Sequence, residues 1–202
     1  MKYGYFDDKN KEYVITNPKT PSAWTNYLGD TNYGALISNN AGGYSFEKSG
    51  ANGRIIRYEF NSFDEPGRYI YLKDNKTNDY WSASWGPVHK DLKKYKSEVR
   101  HGIAYSIFNS TYNNIQTSTT YFVPLNKKYE VWYLKVTNNS KVNKDLTITG
   151  YCEFTNNCNY EQDLVNLQYS LFISRTYFNK NRIRQILYQL HPENSVKKLF
   201  HH

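Results

Sequence analysis

Two tryptophans lie four residues apart in a segment whose composition suits a sugar. Trp81 and Trp85 stand in the segment 78–88, NDYWSASWGPV, where small residues separate the large rings. Proteins bind sugars by laying apolar C–H faces on aromatic rings while amides and carboxylates hold the hydroxyls. The segment therefore predicts a carbohydrate contact, although composition alone favours both rings as core residues of a β-sandwich.

A fixed cation and a titratable imidazole are neighbours in the segment 98–102, EVRHG. Arg100 beside His101 suits the recognition of an anion, because a guanidinium is always charged and an imidazole becomes charged near neutral pH. An ion pair between Glu98 and Arg100 at a strand end is the simpler explanation. Both interpretations stay open at the level of the sequence.

The motifs of common catalytic and nucleotide-binding sites are missing from the sequence. It has no G-x-S-x-G, no G-x-x-x-x-G-K-[ST], no G-x-G-x-x-G after a strand and no H-E-x-x-H. Glu153, Glu161 and Asp163 are close enough to meet around one turn, but any sandwich domain has such neighbours. We therefore predict no catalytic residue, no metal site and no cofactor on this chain.

Cysteine content, hydropathy and the N-terminus indicate a cytoplasmic protein. Cys152 and Cys158 have a C-x5-C spacing that fits neither a zinc knuckle nor a redox pair, so free thiols in a reducing compartment are predicted. The mean hydropathy is −0.82, and no apolar run approaches the roughly 20 residues that span a bilayer. Asp7 and Asp8 stand where a signal peptide needs its apolar stretch.

The formal net charge of +8 is concentrated near the C-terminus. Residues 1–174 carry 20 Lys and Arg against 17 Asp and Glu, whereas residues 175–202 carry 6 against 1. A nearly balanced body without an RNP-like motif argues against a nucleic-acid partner, even though aromatic residues are interleaved with lysines.

Short stretches of alternating apolar and polar residues predict strands along most of the chain. β-Branched and aromatic residues dominate the apolar positions, and turn-forming residues close each stretch. The predicted strands cover 54–60, 69–73, 99–108, 115–123, 129–136, 146–154 and 164–177. This rhythm, without helical periodicity between the strands, predicts an all-β antiparallel sandwich over residues 1–178.

The segment after residue 178 differs in pattern and is basic. Ile183, Ile186, Leu187 and Leu190 have helical spacing, and a lysine pair follows at 197–198. We predict that residues 179–202 form a separate tail that is a short helix or disordered.

Several strings, in order along about 178 residues, resemble one enzyme family. They are MKYGYFDD at 1–8, EYVIT at 12–16, PSAWTNYLG at 21–29, ISNNAGGYSF at 37–46, GRYIY at 67–71, RHGIAY at 100–105 and FVPL at 122–125. They resemble the start of the cellobiose and chitobiose phosphorylases, glycoside hydrolase family 94, formerly glycosyltransferase family 36.

The resemblance implies an intracellular enzyme, usually a homodimer, that cleaves a β-linked disaccharide with inorganic phosphate. The anomeric centre is inverted, which gives an α-sugar-1-phosphate and a free sugar. The implied architecture is an N-terminal β-supersandwich of galactose-mutarotase-like fold, a helical linker, an (α/α)6 barrel that carries the catalytic Asp and the phosphate-binding groups, and a C-terminal β-domain. This chain resembles only the first part, so no catalytic residue is carried over.

Two functions therefore remain as hypotheses for the chain. The first is an incomplete supersandwich of a disaccharide phosphorylase, ended early by a frameshift or stop, in which Trp81, Trp85, Arg100 and His101 are candidates for a sugar-facing or domain-facing surface. Its partners would be carbohydrate and the parent barrel, with no nucleic acid and no membrane. The second is a free-standing carbohydrate-binding β-sandwich that uses Trp81 and Trp85.

Overall fold

The computed structural model describes residues 2–59, 66–165, 172–190 and 196–201, which are almost entirely β-structure. In chain order the elements are β1 (Gly4–Asp7), β2 (Glu12–Ile15), β3 (Thr25–Gly29), β4 (Tyr33–Ser38), β5 (Gly43–Glu47), β6 (Arg68–Asp74), β7 (Tyr80–Ser82), β8 (Lys96–Gly102), β9 (Tyr105–Tyr112), β10 (Ile115–Phe122), β11 (Val131–Asn138), β12 (Leu146–Cys152), α1 (Tyr160–Val165), β13 (Ser174–Asn179), β14 (Arg182–Leu190) and β15 (Val196–His201).

Among the described residues, the strands form four sheets in which every pairing is antiparallel. The largest sheet has the order β1-β2-β8-β9-β10-β11, and three smaller sheets have the orders β3-β4-β5, β12-β6-β7 and β13-β14-β15. The predicted all-β antiparallel class is therefore confirmed. Strands β6, β10, β11 and β12 match strands that the alternation predicts.

The hairpin between β9 and β10 shows how the sequence sets the register of the large sheet. Tyr112 pairs with Ile115, which leaves Asn113 and Asn114 as a two-residue loop. Both loop residues have positive φ, 50° and 61°, a conformation that asparagine tolerates and that matches the twist of the flanking strands. This register turns Phe108, together with alternate residues of β9 and β10, toward the interior.

Two apolar clusters form the core. The first packs side chains of β4, β9 and β10 together, with Ile37, Phe108 and Tyr121 at its centre. The second lies between the sheet β12-β6-β7 and the segment before β8, and it contains Leu72 and Trp81. Trp132 of β11 packs against both clusters and so links them.

A buried ion pair crosses the space between the sheets. Arg68, the first residue of β6, is completely enclosed, and its Nη2 donates to the carbonyl oxygen of Leu36 at 2.9 Å. Its Nε lies 3.3 Å from Oε1 of Glu130, which also accepts the indole N–H of Trp132 at 2.9 Å. Strands β4 and β6 and the start of β11 are thus tied together by one guanidinium.

Three predicted strands differ from the structure. The stretch 99–108 is the hairpin of β8 and β9, because Gly102 and Tyr105 close a turn in which Ala104 has φ 63°. The described part of 54–60 forms isolated bridges at Arg54 and Ile56 instead of a strand. Within 164–177, Leu164 and Val165 belong to α1, residues 166–171 lie outside the described residues, and β13 begins at Ser174.

The helix predicted after residue 178 is wrong, since residues 182–190 form β14 and residues 196–201 form β15. Asn179 pairs with Arg182 across a tight turn in which Lys180 has φ 56°, so the chain reverses where a helix would begin. Residues three apart face opposite sides of a strand, and accordingly Ile183 is exposed while Ile186 is buried. The pairing of β13 with β14 joins residues on both sides of position 178. The domain boundary predicted at that position stays a prediction.

We expect the Arg68–Glu130 pair to couple strongly in stability measurements. Arg68→Met and Glu130→Gln should each lower the free energy of unfolding by about 3–5 kcal/mol, because each leaves an enclosed charge without its partner. Arg68→Met combined with Glu130→Leu should cost clearly less than the sum of the single changes. Urea unfolding followed by tryptophan fluorescence measures all three values.

The exposed ion pair between Lys128 and Glu47 is the matched control. Lys128→Ala should change the free energy of unfolding by less than about 1 kcal/mol, because both groups are solvated. Additive effects of the Arg68 and Glu130 substitutions would contradict the role assigned to the buried pair.

Candidate functional site

Trp81 belongs to the core of the molecule. It lies in β7 with no exposed surface, among Leu72, Tyr95 and Ile70, and its ring centroid is 5.3 Å from that of Tyr112. An enclosed ring offers no face to a sugar, so the carbohydrate contact predicted for Trp81 does not fit its position. The core placement that composition favoured for it is the observed one.

Trp85 lies in the loop after β7 and is partly buried. Its indole N–H donates to the carbonyl oxygen of Lys90 at 2.8 Å, and its ring meets the edge of His89 at 4.5 Å. The Lys19 ammonium lies 5.7 Å from the ring centroid, within cation–π range. Trp85 is therefore held by its own loop, and it forms no common platform with the enclosed Trp81.

Arg100 is surrounded by carboxylates. In β8 it lies 2.8 Å from Glu12, 2.8 Å from Glu98 and 3.3 Å from Asp7, so the pair with Glu98 that the sequence indicated is extended by strands β1 and β2. The hydrogen bonds that Arg100 donates, first to Glu12 and then to Glu98, raise the pKa of the guanidinium further. Tyr105 also donates to Glu12, at 2.6 Å. Three carboxylates around one cation oppose the binding of an anion here.

His101 points away from Arg100, because neighbouring residues of a strand face opposite sides. Its Nε2 lies 3.3 Å from the carbonyl oxygen of Trp24, so Nε2 carries the proton and Nδ1 accepts from the Ser106 hydroxyl at 2.8 Å. Burial lowers the pKa of the imidazole to about 4. His101 is therefore neutral at pH 7, and it lines a surface cavity of about 430 Å³ together with Phe6.

The carboxylates predicted to meet around one turn do so only in part. Glu153 and Asp163 converge on Arg57, which no pattern in the sequence singled out, whereas Glu161 is exposed on α1. Arg57 donates from Nη1 to Glu153 at 2.6 Å and from Nε and Nη2 to the two oxygens of Asp163 at 2.8 and 3.0 Å. The guanidinium binds Asp163 through two hydrogen bonds and Glu153 through one, so both carboxylates are engaged by a cation instead of being arranged as an acid and base pair.

A cavity of about 550 Å³ opens beside this Arg57 cluster. Tyr69 and Tyr71 of β6 line one wall together with Tyr151 of β12, and Arg57 and Glu153 line the other. The alternation in the predicted strand 69–73 already places Tyr69 and Tyr71 on one face. Tyr151 joins them only because β6 pairs with β12. The sequence does not predict that pairing, since the paired residues are about 80 positions apart.

The thiols and the metal-binding side chains add no further site among the described residues. Cys152 and Cys158 are free thiols, as predicted, and burial raises the pKa of Cys152 to about 11. Residues 2–59, 66–165, 172–190 and 196–201 contain no group of three or more His, Cys, Asp or Glu placed to hold a metal ion. In the same ranges no helix is long and apolar enough to cross a bilayer.

The buried imidazole of His101 should make stability depend on pH. The pKa of His101 is about 4 in the folded chain, against 6.5 without burial. Below pH 6.5 the unfolded chain therefore binds a proton that the folded chain does not, and the free energy of unfolding falls as the pH is lowered toward 4. Between pH 7 and pH 5 the free energy of unfolding should fall by about 2 kcal/mol through this group. His101→Gln should remove most of that fall in urea titrations at both pH values, and an unchanged fall would contradict the assignment.

Comparison with known proteins identifies the family. The family model described as glycosyl hydrolase 94, supersandwich domain, matches residues 11–201. Over 189 residues, or 93% of the chain, it is 44% identical to N,N'-diacetylchitobiose phosphorylase of Vibrio furnissii and 42% identical to that of Vibrio proteolyticus. It is also 32% identical over 146 residues, 72% of the chain, to a 3-O-beta-D-glucopyranosyl-beta-D-glucuronide phosphorylase of Paenibacillus borealis.

These matches cover only part of each relative. The chain spans about a quarter of the length of the two Vibrio proteins, 24% in each case, and 18% of the Paenibacillus protein. The match also includes residues 179–201, which contain β14 and β15. The resemblance noted in the sequence is thus confirmed, and the chain belongs to the glycosyl hydrolase 94 family, in which it corresponds to the supersandwich domain.

Proposed function

We propose that this chain is the N-terminal supersandwich part of a disaccharide phosphorylase. Such an enzyme cleaves a β-linked disaccharide with inorganic phosphate and inverts the anomeric centre, which gives an α-sugar-1-phosphate and a free sugar. The observation that carries the proposal is the 44% identity to N,N'-diacetylchitobiose phosphorylase over 93% of the chain. A disaccharide of N-acetylglucosamine is accordingly the first substrate to test.

The charged side chains of the candidate residues suit a domain that supports the catalytic barrel better than one that binds phosphate. Arg57 and Arg100 are both neutralised by carboxylates of the same chain, and His101 is neutral at pH 7. Phosphate needs cationic or N–H groups that are still available. The proposed phosphate site and general acid therefore lie in the barrel, phosphate is the co-substrate, and no organic cofactor is needed.

The remaining parts of the proposal concern partners and surroundings. The proposed partners are the catalytic barrel and carbohydrate, in a homodimer that works in the cytoplasm without nucleic acid or membrane. The sugar-facing or domain-facing role of Trp85, Arg100 and His101 stays a prediction. His101 fits it best, because it lines a surface cavity whose rim includes the exposed Phe6 and Ile103.

A domain exchange tests the proposal. This chain should replace the matching 189 residues of the Vibrio furnissii protein and sustain phosphate-dependent cleavage of N,N'-diacetylchitobiose. We expect kcat/KM within about tenfold of the unaltered protein, a loss of at most about 1.4 kcal/mol of transition-state stabilisation. Release of sugar-1-phosphate is the readout.

The Vibrio furnissii protein without its matching part is the control and should be inactive or insoluble. An exchange protein that is soluble and dimeric but releases no sugar-1-phosphate would overturn the proposal. Cleavage that proceeds without phosphate would also overturn it, since the protein would then be a hydrolase.

A further inference from the structure

We propose that the cavity between the Arg57 cluster and the tyrosines of β6 and β12 is a carbohydrate-binding site. It would take one or two pyranose rings of a β-linked disaccharide or oligosaccharide. The inference rests on the proposed function only for the choice of sugar to test. The cavity itself is defined by side chains of this chain, and its volume of about 550 Å³ is within the range of small-molecule sites.

One wall of the cavity is aromatic. Tyr151 pairs directly with Tyr69 across the β12–β6 ladder, so the two rings share a face of the sheet with Tyr71. The rings of Tyr71 and Tyr151 meet edge to face, with centroids 6.3 Å apart and planes at 80°. In such a T-shaped pair the edge of one ring packs against the face of the other. Tyr151 still keeps 42% of its surface exposed. Such an open ring can take the C–H face of a sugar.

The opposite wall is polar and already ordered. Glu153 accepts from Arg57 through Oε1 and from the Tyr151 hydroxyl through Oε2 at 3.1 Å, and its side chain is still 34% exposed. Among the described residues, the bonds to Asp163 and Glu153 use three of the five N–H groups of Arg57. Two donors and a carboxylate with further lone pairs therefore remain for hydroxyl groups, which need both donors and acceptors.

Asp163 has a different role from Glu153. It is 2% exposed, and besides Arg57 it accepts the backbone N–H groups of Asn156 and Asn157 at 2.8 and 3.2 Å. Its hydrogen bonds fix the loop before α1 and orient the guanidinium, so Asp163 is a positioning residue and Glu153 is the carboxylate available to a ligand.

A protein segment is the alternative occupant of the cavity, because β12 is an edge strand and most of its residues are exposed. The charge of the cavity wall favours the sugar. Cores of protein interfaces are depleted of charged residues, whereas four of the nine described residues that line this cavity are charged, namely Arg57, Glu59, Glu153 and Asp163. Sugar sites instead combine such charged hydrogen-bonding groups with aromatic rings.

Titration of the complete 202-residue chain with N,N'-diacetylchitobiose, and separately with cellobiose, tests the site by NMR shift changes or calorimetry. We expect saturable binding with a Kd in the millimolar range. Tyr151→Ala should weaken it at least about tenfold, because the stacking ring is lost, while Tyr151→Phe should weaken it only a few-fold. Glu153→Gln should also weaken binding, since a charged acceptor is replaced by a neutral one.

Tyr5→Ala is the matched control, because Tyr5 on β1 is 41% exposed, as Tyr151 is, but lies outside this cavity. It should leave the Kd unchanged, and all variants should keep the circular dichroism of the parent chain. No saturable binding at tens of millimolar sugar, or equal affinity in the Tyr151→Ala variant, would overturn the inference.

The domain exchange protein separates this inference from the proposed function. If it cleaves N,N'-diacetylchitobiose with phosphate while the chain binds no sugar, the cavity site is wrong and the proposed function stands. If the chain binds sugar through Tyr151 and the exchange protein is inactive, the cavity site stands and the proposed function is wrong. A Tyr151→Ala exchange protein that fails to assemble, with sugar affinity of the chain unchanged, would mark the cavity as a domain interface and overturn the site.

Discussion

The completely enclosed guanidinium of Arg68 is the interaction on which the arrangement of the sheets depends. A buried cation is tolerated when an opposite charge balances it, and here Glu130 before β11 supplies that charge while Leu36 in β4 supplies a carbonyl acceptor. Three segments distant in sequence must therefore meet at one point. Because Arg68 opens β6, this constraint also fixes the direction in which β6 crosses the core and which of its faces turns outward.

The same principle applies to the other arginines of the body. All four arginines before residue 175 are engaged internally: Arg57, Arg68 and Arg100 by carboxylates, and Arg54 by the rings of Tyr44 and Tyr160, whose centroids lie 3.7 and 4.3 Å from its guanidinium. Each links segments that are far apart in sequence. In this fold arginine acts as a cross-link between segments of the chain, so charge counts along the sequence say little about how many of those charges are already paired.

The sequence predicts local structure here better than it predicts spatial neighbours. Strand β10 was expected at 115–123 and is observed at Ile115–Phe122, because alternation and an Asn-Asn turn are both local signals. The helix expected from Ile183 to Leu190 fails because four apolar residues in eight also fit a strand, and the choice depends on a partner strand. Likewise, the family resemblance identified the family correctly, whereas the Arg57 cluster joins residues about 100 positions apart and has no local signature.

Trp81 and Tyr151 show that large aromatic side chains of this domain take different positions. Tryptophan is the largest apolar side chain, and Trp81 is enclosed where it fills the second core cluster. Tyrosine combines a similar ring with a hydroxyl that remains solvated, so it is the residue that an edge strand can leave exposed. Trp81 and Tyr151 lie on the two end strands of the same sheet, so the face of the sheet decides which ring can meet a ligand. Trp81 pairs with Leu72 and turns toward the second core cluster, whereas Tyr151 pairs with Tyr69 and lines the cavity. An aromatic site on such a domain should be sought on edge strands next to paired charges, where exposure and hydrogen bonding coincide.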